Sequence, residues 1–272
     1  MPKAGKKRSW AKRRPRLRGG DRGASKLELY AIPGMLEIRE GDDLAARIVS
    51  AAKKAGLRFE EGDVVVVAQK IVSKAEGAVV ALATIKASEK AEALAAESKK
   101  DPRAIELVLR ESRRILRSER VLITETKHGF VCANAGVDHS NVPGEDVVTL
   151  LPRDPDGSAE KLARELSKKT GKRIAVIVSD TFGRPWRLGL TNVAIGASGV
   201  PVLVDLRGTK DREGKRLTAT VLAVADELAA AAGLLMGKSE GTPVVIVRGY
   251  SFKPASEKAA SIIRPAGEDL FR

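Results

Sequence analysis

Ile174-Ala-Val-Ile-Val-Ser-Asp-Thr-Phe-Gly-Arg-Pro-Trp-Arg187 opens with five apolar residues and stops abruptly at Ser179-Asp180-Thr181. A short continuous apolar run of this kind reads as a buried strand, and Ile174–Val178 is the clearest central strand of the chain. The chain then turns through Gly183 and Pro185 into arginines. Val64-Val-Val-Val-Ala68, introduced by Gly62-Asp63, is a second run of the same type. Shorter strands are predicted at Leu27–Ile32, Val121–Thr126, Val147–Leu151, Val193–Ile195, Val202–Asp205 and Val244–Val247. Between them lie helical patterns. Leu44, Ile48, Val49 and Ala52 form a stripe ending at Gly56, while Ser88 and Asp101-Pro102 begin two further helices. The second of these carries Ile105, Val108, Leu109, Ser112, Ile115 and Leu116 on one face. Pro152–Gly157 reads as a turn, Ser158 starts a helix that ends at Thr170-Gly171, and Leu217–Met236 reads as one long Ala-rich helix. Strands and helices intermix without a strict βαβ rhythm. The expected class is therefore α+β, with mixed sheets and packed helices.

Composition narrows the function. Of 272 residues, 43% are hydrophobic, which supplies a real core, and only 3% are aromatic, so that core rests on Val, Ile, Leu and Ala. A single cysteine excludes an internal disulfide and suits a reducing, cytoplasmic setting. No apolar run reaches the roughly 18 residues that suggest a membrane span. The net charge of +14 resembles a nucleic-acid signal until it is located. Residues 1–20 hold nine Lys and Arg and no acid, leaving +5 for the rest. We expect a disordered basic tail over 1–24, able to touch nucleic acid nonspecifically or to serve only solubility. Residues 25–272 are expected to form one catalytic region, with room for two intertwined subdomains.

Chemistry concentrates in His128-Gly-Phe-Val-Cys-Ala-Asn-Ala-Gly-Val-Asp-His-Ser-Asn141, which gathers two glycines, two asparagines, both histidines, the only cysteine and Asp138. Short polar groups beside flexible glycines suit close approach to a ligand. Asp138 and Asp180, with Thr181, would give a partial oxygen shell for Mg²⁺ or Mn²⁺ bridging phosphates. Each aspartate could instead cap its own turn, and both readings stand open. Lys70 and Lys74 follow a buried strand, where an ammonium could meet phosphate. Arg184 and Arg187 flank Trp186, a set suited to a carboxylate or phosphate beside a flat ring; ordinary solvated charge and packing remain alternatives. Gly233-Leu-Leu-Met-Gly-Lys-Ser239 falls one residue short of a P-loop and follows a helix instead of a strand, which argues against a Walker site. The loop from Met236 to Thr242 could still lend backbone N–H groups to a nucleotide. His128 and His139 lack a metal-ligand spacing, and Cys132 reads as buried more than reactive.

At these residues the chain resembles the coenzyme F420-0:L-glutamate ligase family, also called gamma-glutamyl ligase. The matching blocks include GFVCANAGVD, SDTFGRPWR and AVADELAAA, and the resemblance spans about Leu27 to Gly249. It implies GTP-dependent ligation of L-glutamate to coenzyme F420-0, and successive gamma-linked additions, through an acyl phosphate. It implies Asp138, Asp180 and Thr181 as ligands of divalent metal, Mg²⁺ or Mn²⁺ and two ions in all, with K⁺ as a further requirement. Met35, Leu36, Glu37, Ile38, Gln69, Lys70, Lys74 and Asn141 align with GTP-contacting positions, as do Met236, Gly237, Lys238, Ser239, Glu240, Gly241 and Thr242. The last loop varies in acid content within the family, and Lys238 leaves the second ion's shell open. A homodimer is implied as well. Arg184, Trp186 and Arg187 are candidates for the acceptor or the glutamate. Two other functions fit parts of the sequence: a GTP- or ATP-dependent amide ligase acting on another carboxylate, and a basic nucleic-acid-binding protein.

Overall fold

The computed structural model describes residues 25–142, 144 and 146–269; the basic tail expected at 1–24 lies outside the described residues. The valine runs pair as their composition demands. β2 (Val64–Ala68) lies parallel to β8 (Ala175–Arg184), with Val64 opposite Ala175 and Ala68 opposite Ser179. β12 (Val244–Arg248) joins the other edge of β2 antiparallel and carries β1 (Glu28–Ala31) beyond it. β9 (Arg187–Ser198) closes the far side, giving a five-stranded sheet in the order β1-β12-β2-β8-β9. One parallel pair within antiparallel neighbours makes the sheet mixed, as expected.

Every second residue of these strands enters a different core, because strand side chains alternate faces. Val65, Val67, Val176, Val178 and Ile246 face α1 (Leu44–Lys54) and α5 (Pro155–Thr170). Val64, Val66, Ile177, Val245 and Val247 face α6 (Val224–Met236). Strands covered on both sides must be apolar throughout, which is why these runs carry no polar alternation. A third core gathers under α3 (Glu89–Ser98) and α4 (Pro102–Glu111). It is bordered by β3 (Val79–Ala81) paired with β7 (Val147–Thr149), and by a small sheet of β4 (Ser112–Arg117), β5 (Ile123–Thr126) and β6 (Val131–Ala133). α2 (Gln69–Ala75) leaves β2 without an intervening loop. β10 (Val204–Asp205) and β11 (Val221–Leu222) form a separate two-stranded ladder.

Four sequence expectations need correction. The Asp101 helix stops at Glu111, and Ser112, Ile115 and Leu116 belong to β4, whose backbone pairs with β5. The apolar period of the helix persists by chance into a strand that buries little. α5 starts at Pro155, not Ser158: Asp154 caps the Gly157 N–H and the proline occupies the first turn, where its missing donor costs nothing. α6 begins at Val224, and residues 217–223 run as loop and β11. β8 does not end near Val178. It continues to Arg184 and returns as β9, a hairpin far longer than the strands read at Ile174–Val178 and Val193–Ile195. Glycines and polar residues at its outer end hid this extension, in which Phe182 and Val193 still pack against the core.

Asp156 locks the layers together. Its buried carboxylate accepts the N–H groups of Ala197 (2.9 Å) on β9 and of Ala259 (2.7 Å) and Ala260 (3.4 Å) in the C-terminal segment. Gly196 lets β9 pass this close, for a Cβ there would lie on the Pro155 carbonyl. Asp156→Ala should strand the two buried donors, Ala197 and Ala259, and cost ~2–6 kcal/mol, at ~1–3 kcal/mol for each buried unsatisfied group. Urea unfolding checks this; an unchanged midpoint would show that the clamp does not hold the layers.

Candidate functional site

The parallel pairing of β2 and β8 brings two charged groups to one edge of the sheet. Ala68 lies opposite Ser179, so Lys70 in the first turn of α2 and Asp180 on β8 emerge side by side. Asp138 arrives from a separate direction. The chain leaves β6 through a 3-10 turn at Asn134–Gly136, where Asn134 and Ala135 both hold φ +52°. It is then pinned by two backbone hydrogen bonds between Asp138 and Thr149 (3.1 and 2.9 Å). A left-handed alanine is strained, so packing against the surrounding segments must enforce this turn.

The Asp138 carboxylate accepts from the Lys70 ammonium (2.6 Å), the Ser140 N–H (2.8 Å) and the Ser140 hydroxyl (2.8 Å). Lys70 also donates to the Ser140 carbonyl (2.5 Å) and hydroxyl (2.7 Å). Burial works to raise the Asp138 carboxyl, but Lys70 and Ser140 outweigh it and hold it below its ordinary value. Asp180 is the opposite case. Burial pushes its carboxyl up to about 6 and the charge of Asp138 adds to the rise. The Thr181 N–H (2.8 Å) and the more distant ammoniums of Lys238 and Lys70 pull it down without reversing the shift.

Lys238 reaches the same edge from the loop after α6 and donates to the Thr181 hydroxyl (3.0 Å). That hydroxyl in turn donates to Asn192 Oδ1 (3.3 Å). Asn192 Nδ2 contacts the Ser179 hydroxyl (3.3 Å) and the Met236 sulfur (3.5 Å), tying β8, β9 and α6 together under Asp180. Gly233 permits this, since a Cβ at that place would meet the Asn192 side chain at 2.8 Å. Asn141, at φ +54°, donates to the Lys238 carbonyl (3.2 Å) and joins the Asp138 segment to the last loop. Glu240 folds its carboxylate onto the Lys238 and Ser239 N–H groups (2.8 and 2.9 Å), so both amides are engaged within the loop. The amide pair that donates to this carboxylate is of the kind that also donates to phosphate oxygens.

Asp138, Asp180, Thr181, Lys70, Asn141 and Lys238 thus form one cluster. Lys74, buried, adds an ion pair to Glu37 (2.5 Å) along α2. Gln69 is buried and accepts from the Ser73 hydroxyl (2.7 Å), and Ile38 and Met236 lie in the core. Met35 packs against the core beneath an exposed Leu36. Arg184, Trp186 and Arg187 stand at the tip of the β8–β9 hairpin, three or more residues beyond Thr181 and so roughly 10 Å or more along the strand. Cys132 is buried, and burial pushes its thiol up to about 12, a packing residue and no nucleophile. Sequence reading missed Asn192 and Ser140, two neutral residues whose role exists only through contacts made across the fold.

The cluster suits a hard cation. Its donors are two carboxylates and a hydroxyl, and among the described residues no group of three or more His, Cys, Asp or Glu assembles as a metal site. So small a protein contribution matches Mg²⁺-type binding, which leans on one or two carboxylates and completes its shell with phosphate oxygens and water. This set fits one such ion.

The family described as F420-0:Gamma-glutamyl ligase matches residues 34–249. A coenzyme F420:L-glutamate ligase of Methanothermobacter thermautotrophicus is 46% identical over 250 residues, covering 90% of this chain and 99% of the relative. The protein of the same name from Methanopyrus kandleri is 47% identical over 258 residues, with 92% and 99% coverage. That from Archaeoglobus fulgidus is 44% identical over 248 residues, with 91% and 97% coverage.

The raised Asp180 carboxyl makes stability depend on pH. Its folded value near 6 exceeds the unfolded value near 3.8, so the folded state holds the proton more tightly between them. The contribution is intact below about pH 4 and is lost as pH rises through 6. In chelator-containing buffer, Asp180→Asn should exceed wild type in stability by ~1–3 kcal/mol at pH 8 and by almost nothing at pH 4. Urea unfolding at both pH values measures this; an offset independent of pH would sink it.

Proposed function

The chain belongs to the F420-0:gamma-glutamyl ligase family, and on that premise we propose that it joins L-glutamate to coenzyme F420-0 with GTP as the energy source. The observation that supports this most is the convergence of the Asp138 and Asp180 carboxylates from separate elements, with the ammoniums of Lys70 and Lys238 at the same edge.

In this scheme a carboxylate oxygen of the acceptor attacks the γ-phosphorus of GTP, the bond to the bridging oxygen breaks and GDP leaves. The amine of L-glutamate then attacks the acyl carbon; phosphate departs, a proton is released and an amide forms. The new γ-carboxylate can repeat the cycle. No covalent enzyme nucleophile is required, which agrees with a buried Cys132 held as the thiol. Asp138, Asp180 and Thr181 would hold Mg²⁺ or Mn²⁺, whose bound charge neutralises phosphoryl oxygens as a Lewis acid. K⁺ is a further proposed requirement. Lys70 and Lys238 bind the phosphates as point charges and orient the transferred group. Catalysis then rests on alignment and on fixed charges in a site that needs little rearrangement. The loop at Gly237–Thr242 and the Asp138 segment, joined by Asn141, close over the nucleotide from two sides.

We also propose that the working form is a homodimer. The β8–β9 hairpin extends beyond the cores and exposes Trp186 (87%), Leu188 (98%) and Leu190 (65%). Large apolar side chains grouped on a projecting arm are the usual mark of a surface that another chain covers.

Two measurements test these proposals. Asp138→Ala and Asp180→Asn should each lower glutamyl transfer by at least ~100-fold, on the scale for losing a key electrostatic group. Mass spectrometry of F420-0 with L-glutamate, GTP, Mn²⁺ and K⁺ reads the product directly. GTP hydrolysis without a glutamyl increment would move the acceptor to another acid. Leu188→Asp should convert a dimer to a monomer in light scattering; a monomeric wild type, or a dimeric variant, would remove the hairpin from the interface.

A further inference from the structure

Four charged groups at the edge of β8 are balanced before any ligand arrives. Asp138 and Asp180 face the ammoniums of Lys70 and Lys238, and each lysine is already bound. Lys70 donates to Asp138 Oδ2, the Ser140 carbonyl and the Ser140 hydroxyl, a full set for three N–H donors. Lys238 donates to the Thr181 hydroxyl, beside the Asp180 carboxylate. The Lys70 side chain is 15% exposed and Asp138 45%, so water screens this pair incompletely. The two lysines come from different elements, α2 and the loop after α6, and contact the oxygens expected to ligate a cation.

We propose that Lys70 and Lys238 make divalent-cation binding conditional on a polyphosphate, by holding the ligand oxygens until phosphate draws the ammoniums away. This rests on the proposed nucleotide and metal site and adds an order of events to it. A divalent ion approaching alone meets a neutral cluster: two carboxylates matched by two ammoniums. It must displace Lys70 from Asp138 and leave that ammonium beside it. A nucleotide phosphate offers the lysines better acceptors and frees Asp138 and Thr181 for the ion. The ion and nucleotide therefore enter as a coupled pair, and until they do the two lysines offset the repulsion between the carboxylates. Lys238 acts as a positioning charge on Thr181 and Asp180; Lys70 is the stronger gate, because it contacts a carboxylate directly.

The test is Mn²⁺ affinity, read as free Mn²⁺ by electron paramagnetic resonance, with and without a non-hydrolysable GTP analogue. An opposite charge at this range changes the proton affinity of a carboxylate about 10- to 1000-fold, and a divalent cation competes for the same oxygens. Lys70→Met, which keeps the aliphatic stem, should bind Mn²⁺ at least ~10-fold more tightly than wild type when nucleotide is absent. The gain in Mn²⁺ affinity on adding nucleotide should shrink in the variant, and by linkage the gain in nucleotide affinity on adding Mn²⁺ shrinks by the same factor. Lys238→Met, on an exposed loop that its loss should not unfold, should shift both quantities in the same direction by less. Lys70→Arg should restore the wild-type coupling. A purely structural Lys70 would lower the melting temperature and leave the coupling ratio unchanged. Unaltered nucleotide-free Mn²⁺ affinity in folded Lys70→Met overturns the gate and leaves the site intact. Absence of Mn²⁺ binding in wild type even with nucleotide overturns the metal site itself, and the gate with it.

Discussion

The parallel pairing of β2 with β8 is the constraint on which the site depends. It sets Ala68 opposite Ser179, so the chain leaving β2 and the polar end of β8 open at the same edge. In sheets of this kind ligands gather outside the carboxyl ends of parallel strands, where departing segments leave a crevice. Here α2 departs at once from one strand while β8 continues into the hairpin, and Lys70 and Asp180 line the opening between them. Shifting the register by one residue would turn Asp180 into the opposite face and carry Lys70 away. The valines of both strands, packed between two helical layers, hold that register.

Around this edge the fold carries a local electrostatic cost. Asp180 is held where burial disfavours its charge, and at Asp138 the same burial is outweighed by Lys70 and Ser140. A site built for binding highly charged ligands does this commonly, because the same groups that destabilise the empty protein supply the charge the ligand needs. The compensating stability lies elsewhere. Asp156 clamps α5, β9 and the C-terminal segment, and Arg248 ties β12 to the buried Asp63 carboxylate (2.8 Å). The Asn192 contacts with Ser179, Thr181 and Met236 stiffen the floor beneath Asp180, so the carboxylate cannot relax away from its neighbours.

Much of this was legible in the residues. Uninterrupted valines marked the doubly covered strands, and Ser88 and Asp101 do cap helices as their positions suggested. Asp138 and Asp180 stood out as carboxylates ending apolar or glycine-rich segments, and the structure brings them to one edge. What failed was local pattern carried past its range. The helical period ran on through Ser112–Leu116 although that segment pairs as β4, and Pro155 was absorbed into a turn when it begins α5. Arg184 and Arg187 stay candidates for the acceptor or the glutamate, and the structure places them on a hairpin tip.

By itself, the sequence determined which segments are buried, where α1, α3 and α4 begin and which oxygen and nitrogen groups are available for charged ligands. These properties follow from side-chain polarity and spacing over a few residues. Only the tertiary structure decided that Lys70 takes Asp138, that Lys238 takes Thr181 and that Asn192 sits beneath Asp180. Those partners are 68, 57 and 12 residues or so apart in the chain. Their meeting is set by strand register and by the strained turn at Asn134–Gly136, neither of which has a local signature, because both are fixed by packing among distant segments.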